Sequence, residues 1–229
     1  MSIDAAVVSD IPFLVKAIIA AERAHTGKGY WDFYFPLDVP NRDEKVVELL
    51  SLLFEHEESV FFHYSRFFVI RDEASGAPVA SILGCMYPAY SLSSMKPAVF
   101  RRTIEVLNRS RAAGEQACTE EECENYWNNI TDVIFGAFPD GPELDGQYEA
   151  DTWVIECVYT EPSHRGRGYS ARLMEHIYEV GRKRALEQKT IPGSPPCEKT
   201  VGSIPFSSVA PCRPFLCDYM TQSFLLVHK

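Results

Sequence analysis

Between Ala112 and His164 the sequence has no lysine and no arginine, yet 13 aspartates and glutamates fall in that stretch. The whole chain holds 22 basic and 32 acidic residues for a formal net charge of −10, so everything outside the block is 22 against 19, or +3. Binding a phosphate backbone needs a basic patch or stripe, so nucleic acid is disfavoured as a partner. An acidic block draws cations such as an amine or a basic peptide, although charge runs usually serve as solvated faces. No run of 18 apolar residues occurs, which rules out a transmembrane helix and leaves no membrane role. The opening MSIDAAVVSD lacks a basic region and a long apolar stretch, so no secretory signal is expected. Seven cysteines at irregular spacings argue against a disulfide scaffold and for a reducing compartment. In that setting the sequons at Asn108 and Asn129 carry no meaning. A soluble, cytoplasmic protein is the expectation, and there are no internal repeats.

What is present suits a folded core. The 229 residues are 46% apolar, 24% charged and 12% aromatic, enough for one full-sized domain or at most two small ones. Ile3–Val8 reads as a strand, and Asp10 before Ile-Pro reads as the cap of a helix running to about His25. Thr26–Pro40 reads as a loop, after which Asn41 caps a helix carrying Val46, Leu49, Leu50 and Leu53. Arg66–Met86 reads as an antiparallel hairpin. Two helices, Ser94–Ala113 and Thr119–Phe138, make an insertion, with a capping box at Thr119–Glu122. An acidic linker, Pro139–Glu149, leads to a strand at Thr152–Tyr159 and an amphipathic helix at Gly168–Gln188. The boundaries are a domain over 1–188, with its insertion at about 89–149, and an atypical segment over 189–229. That last segment is rich in proline and cysteine, with strand-like fragments at Thr200–Phe206 and Phe224–Val227 around a short helix near Phe215–Thr221.

The informative string is Trp153–Tyr178, WVIECVYTEPSHRGRGYSARLMEHIY. A β-rich strand enters Arg165-Gly166-Arg167-Gly168-Tyr169-Ser170, which opens a helix. Glycines let the backbone come close to a ligand, free amides at a helix start point at one spot, and two arginines add full charges. A pyrophosphate suits such a site; a tight turn with two solvated arginines is the plainer reading. Over its full length the string resembles the acetyl-CoA-binding motif of the GNAT superfamily of N-acetyltransferases. That loop runs Gln/Arg-x-x-Gly-x-Gly/Ala, and here Arg165-x-x-Gly168-x-Ser170 departs at the last position.

The resemblance implies an α/β domain with a mixed, mostly antiparallel central sheet flanked by helices, and acetyl transfer from acetyl-CoA to a primary amine in a ternary complex. It places the pantetheine arm on the backbone of Val158, Tyr159 and Thr160, and the pyrophosphate on Arg165, Gly166, Arg167, Gly168, Tyr169 and Ser170. Glu156, an acid inside an apolar strand, becomes the base that frees the amine. Tyr219, in Tyr219-Met-Thr-Gln-Ser223-Phe224, becomes the acid for the leaving thiolate, with Ser where the family has Gly. The acceptor side falls on Tyr30, Trp31 and Asp32, whose rings and carboxylate suit a cation, or whose rings simply pack on the sheet. A catalytically idle CoA-binding or regulatory protein is the alternative. No metal is expected: Cys118 and Cys123 fall at i, i+5 in a predicted helix with thiols pointing apart, and no histidine completes that pair or Cys212 and Cys217. His56 and His63 lack metalloprotease spacing, His164 reads as a solvated loop residue, and His176 reads as exposed.

Overall fold

The computed structural model of the chain describes residues 1–24, 27–59, 61–86, 92–111, 116–137, 153–189 and 225–227. Among these residues five strands lie side by side in chain order: β1 (Ile3–Ala5), β2 (Phe67–Arg71), β3 (Pro78–Met86), β4 (Trp153–Thr160) and β5 (Leu225–Val227). Every neighbouring pair is antiparallel. The expected hairpin is β2–β3. Asp72 shapes its turn, its Oδ1 accepting from the amides of Ala74 and Ser75 at 3.2 and 3.0 Å, and Gly76 takes the left-handed φ of 69° that the turn needs.

Among the described residues six α-helices accompany the sheet: α1 (Ile11–Glu22), α2 (Trp31–Tyr34), α3 (Arg42–Glu55), α4 (Leu92–Ser110), α5 (Glu120–Ala137) and α6 (Tyr169–Lys189). Apolar side chains at helical spacing decide which face each covers. Leu14 and Ile18 of α1 and Leu49 and Leu53 of α3 are buried with Phe67, Val69, Leu83 and Val154 on one side of the sheet. Tyr169, Leu173 and Ile177 of α6 are buried with Ile70, Ile82 and Ile155 on the other. Each such side chain contributes about 1.5–3 kcal/mol by leaving water. Trp153 fits between sheet and α6 because two neighbours lack side chains. A Cβ on Gly84 would lie 2.7 Å from the Trp153 ring and 2.6 Å from Ile177, and one on Gly181 would lie 2.8 Å from the ring.

The inserted helices extend the α1 side, α4 packing on α3 and α5 on α2. Tyr34 joins them: its hydroxyl is 2.7 Å from Thr103 Oγ1, and its carbonyl accepts from Asn129 at 3.3 Å. Among the described residues no helix is long and apolar enough to cross a membrane.

Several local expectations need correction. Asp10 does not cap α1 with its side chain. It is buried, accepts the Val7 amide at 2.9 Å and pairs with Arg71 at 2.6 Å, because a buried carboxylate needs a charged partner. Asn41 precedes α3 at φ 52° without a side-chain cap. Thr119 does accept the Glu122 amide at 3.2 Å, but the Glu122 carboxylate turns to Arg111 and Tyr126 instead of closing a box. Cys118 lies before α5 rather than in it, so its sulfur comes to 3.8 Å from Cys123 Sγ, both thiols free and buried. His176 is not exposed: its ring packs 4.7 Å from Phe68, and Nε2 is enclosed. Of the strand-like Phe224–Val227, Leu225–Val227 enters the sheet as β5. The linker 139–149, the fragment 200–206, Cys212, Cys217 and Tyr219 lie outside the described residues.

Candidate active site on the last strand before the phosphate loop

Strands β3 and β4 fall out of step at one place. Ser81 faces Tyr159 and Leu83 faces Glu156, so two steps along β3 answer three along β4. The extra residue is taken up at Cys157, whose φ of 53° is left-handed. A non-glycine residue there is strained by about 1–3 kcal/mol, a kind of strain that gathers at functional sites. The bulge also changes which side chains share a face. Trp153 and Ile155 pack toward α6, whereas Val154 and Cys157 belong to the core under α1. Strict alternation would send residue 157 toward α6; the bulge instead keeps Glu156 and Cys157 together on the α1 side. Glu156 is only 6% exposed there. Burial first, and then the nearby charges of Glu156 and Glu22, push the Cys157 thiol well above its usual range.

On its other edge β4 is paired only in part. Trp153, Val154 and Ile155 face Val227, Leu226 and Leu225 of β5. From Glu156 to Thr160 that edge meets no strand among the described residues. Backbone donors and acceptors there need partners. These are the positions expected to hold an extended arm: Val158 half-buried against the α6 side, Tyr159 buried with its ring 5.9 Å from Phe13, and Thr160 half-buried.

Beyond Thr160 the chain is pinned and then opens. The Glu161 amide donates to Val79 O at 2.9 Å, and its carboxylate takes Lys16 of α1 at 2.5 Å. After a single turn at Pro162–His164, Gly166 and Gly168 adopt φ of 77° and 73°. A Cβ on either would meet nothing within 4 Å, so backbone conformation and not crowding calls for glycine here. The first helical bond of α6 runs from the Arg172 amide to Gly168 O at 3.2 Å. The amides of Gly168, Tyr169, Ser170 and Ala171 therefore have no acceptor within the helix. They point out of the positive end of its dipole. Arg165 folds back so that Nε donates to Thr160 O at 3.3 Å, and Arg167 is exposed. Amides, a helix N-terminus, two guanidinium groups and open space make a donor set that fits a diphosphate.

Comparison with known families decides the kinship: a model of the acetyltransferase (GNAT) family matches residues 28–192, well over half of the chain. The chain belongs to the GNAT family. Neither curated proteins nor solved structures returned a match. The acyltransferase character of the GNAT family thus attaches to this chain, and its loop and bulged strand lie inside the matched span.

The loop expected to form the acceptor side is arranged differently from a simple aromatic box. Trp31 is buried, edge-on to Phe62 at 5.6 Å and to Tyr34 at 5.7 Å. The Asp32 carboxylate is held by the Arg23 guanidinium, with Nε at 2.9 Å, and by the Gly29 amide at 2.7 Å. Those bonds keep its carboxyl below the ordinary range against the opposing effect of burial. Tyr30 stays half-buried, its phenol pushed up by burial and by the charges of Glu22 and Glu156.

Glu22 is the residue that sequence reasoning missed. It closes α1, its Oε2 is fully enclosed, and burial pushes its carboxyl up to about 8. One signal was available: a carboxylate in the last turn of a helix faces the negative end of the dipole, which is unfavourable without a purpose.

Proposed function

We propose that the chain is an N-acetyltransferase that moves an acetyl group from acetyl-CoA to a primary amine by direct attack in a ternary complex. The observation that carries this reading is the bulge at Cys157, beside a β4 edge that meets no strand among the described residues and the open glycine loop. In it, the backbone of Val158, Tyr159 and Thr160 binds the pantetheine arm, and Arg165 to Ser170 take the pyrophosphate. When bound, acetyl-CoA supplies an activated thioester carbonyl. The protein's part is to orient the amine and move its proton. An alkylamine is a cation at neutral pH and has no free lone pair, so a base must act first. Glu156 is our base, supported by its burial on the α1 face beside Tyr30. Tyr30 contacts the acceptor, while Trp31 and Asp32 set the shape of the loop that carries it. Tyr219 as the acid rests on the resemblance of its surrounding string. We also place the protein in the cytoplasm, supported by the free state of Cys85, Cys118, Cys123 and Cys157.

Titration of the full chain with acetyl-CoA, followed by thiol release over a panel of amines, tests this reading. Saturable binding lost in Arg165→Glu, with amine-dependent release lost in Glu156→Gln, is expected. Binding without release on any amine would favour the idle CoA-binding alternative.

A further inference from the structure

We propose that Cys118 and Cys123 are a redox-active thiol pair, a modification site at the start of α5 that hydrogen peroxide closes into a disulfide. The two sulfurs lie 3.8 Å apart, in contact but unbonded, and both thiols are free. The local fold makes this approach. Thr119 caps α5, its Oγ1 accepting the Glu122 amide at 3.2 Å and its carbonyl accepting the Cys123 amide at 3.1 Å. Cys118 therefore stands one residue before the cap, and Cys123 is the fourth residue of the helix. Side chains at those two positions meet across a helix start. Both are held from α4: Asn108 Oδ1 accepts the Cys118 amide at 2.8 Å, and the Cys123 sulfur lies 3.8 Å from Phe100 O. Two plain hydrophobes at these positions would only pack. Two thiols in contact are within reach of the bonded distance, about 2 Å, by side-chain rotation.

Exposure sets the order of events. Cys118 keeps 7% of its surface accessible and Cys123 none, so peroxide meets Cys118 first. Burial raises both thiols, and the hydrogen bond between them opposes this at Cys118 and adds to it at Cys123, which makes Cys118 the better thiolate. The Cys118 thiolate attacks one oxygen of the peroxide, the O–O bond breaks, and the departing hydroxide takes up the thiol's proton as water. Cys118 is then a sulfenic acid. The Cys123 sulfur attacks it, the S–S bond forms as the S–O bond breaks, and the second oxygen leaves as water with the Cys123 proton. Two electrons pass from the sulfur pair to the peroxide. In a reducing compartment the pair rests as thiols, and glutathione reopens the bond by exchange. Closure braces the first turn of α5. That helix backs α2, with the Tyr126 ring 5.4 Å from Phe35 and Asn129 bonded to the Tyr34 carbonyl.

The full chain is treated with hydrogen peroxide under native conditions, its remaining thiols are blocked, and it is cut after glutamate without reduction. Cleavage at Glu120, Glu121 and Glu122 parts the two cysteines, so their bond is read by mass spectrometry as linked peptides that dithiothreitol separates. A Cys118–Cys123 link is expected. Cys123→Ser leaves a sulfenic acid on Cys118 that dimedone labels, whereas Cys118→Ser lowers labelling at Cys123 to about a tenth of that or less. A redox titration of the wild type in glutathione buffers needs no variant. Native geometry that favours the bond predicts a disulfide equilibrium constant about tenfold or more higher in the folded chain than in urea. Native protein with no Cys118–Cys123 link, a link from either cysteine to a different one, or an equilibrium constant no higher than in urea overturns the proposal. Cys123 labelled as readily as Cys118 also overturns it, since the order of attack is then lost.

Discussion

Two halves of one strand differ in almost every respect. Trp153–Ile155 of β4 is paired on both edges, and its Trp153 is wedged under α6 by the absence of side chains at Gly84 and Gly181. Glu156–Thr160 is paired on one edge among the described residues, contains the left-handed Cys157 and lies within electrostatic reach of Glu22, whose Oε2 is enclosed. The first half is built by packing, and its sequence is apolar. The second is also packed, but one edge of its backbone meets no strand among the described residues. Strain and burial of charge are tolerated in the second half because the first anchors it to both neighbouring strands.

The contrast can be broken from its chemical side first. Glu156→Gln should lower kcat by about 10²–10⁴ while acetyl-CoA affinity stays nearly constant, if proton removal is its task. Steady-state kinetics beside a titration would show it; a KM effect alone would instead make Glu156 a binding group.

Next comes pH. Burial raises the Glu22 carboxyl from 4.5 to about 8, so between those values the folded chain holds a proton that the unfolded chain has lost. Unfolding free energy should therefore fall as pH rises through this window, by about 2–4 kcal/mol from this group. Glu22→Gln should flatten that slope, as seen by denaturant titrations at pH 5 and pH 8.

Two glycine substitutions then separate the halves directly. Gly84→Val forces a Cβ into Ile177 and Trp153, and should destabilise by about 1–3 kcal/mol, read as a lower thermal midpoint. Gly168→Val has room but the wrong backbone, φ 73°, at about 1–2 kcal/mol. The predicted result there is an affinity for acetyl-CoA weakened about tenfold or more with a smaller stability change. The smallest effect belongs to Cys157→Gly. Relief of a left-handed φ and loss of a buried side chain offset each other, so thermal unfolding should move by less than about 1 kcal/mol.

The sequence made one half of this contrast plain and hid much of the other. Short-range patterns survived folding: the β2–β3 hairpin, the α6 stripe of Leu173 and Ile177, and the loop glycines at positive φ. Each depends on neighbours within a few residues. The bulge was less legible, because WVIECVYT reads as a continuous strand and only the register with β3 reveals the extra residue. Glu22 was hidden for a similar reason. Its enclosure is made by Gly29 and Tyr30 folding back over the end of α1, beyond the reach of helical periodicity. The sequence leaves Asp32 open to a cation, and the cation that meets it is Arg23, nine residues earlier in the same chain. The Cys118–Cys123 approach follows from where α5 begins, two residues later than the cysteine.

Amide hydrogen exchange of the full chain, with and without saturating CoA, tests the central claim most directly. The account predicts slowed exchange at Val158–Thr160 and at Gly168–Ala171 on binding, with Trp153–Ile155 unchanged because it is already paired. Unchanged exchange at both the strand edge and the helix start, in a chain that binds CoA, would contradict it.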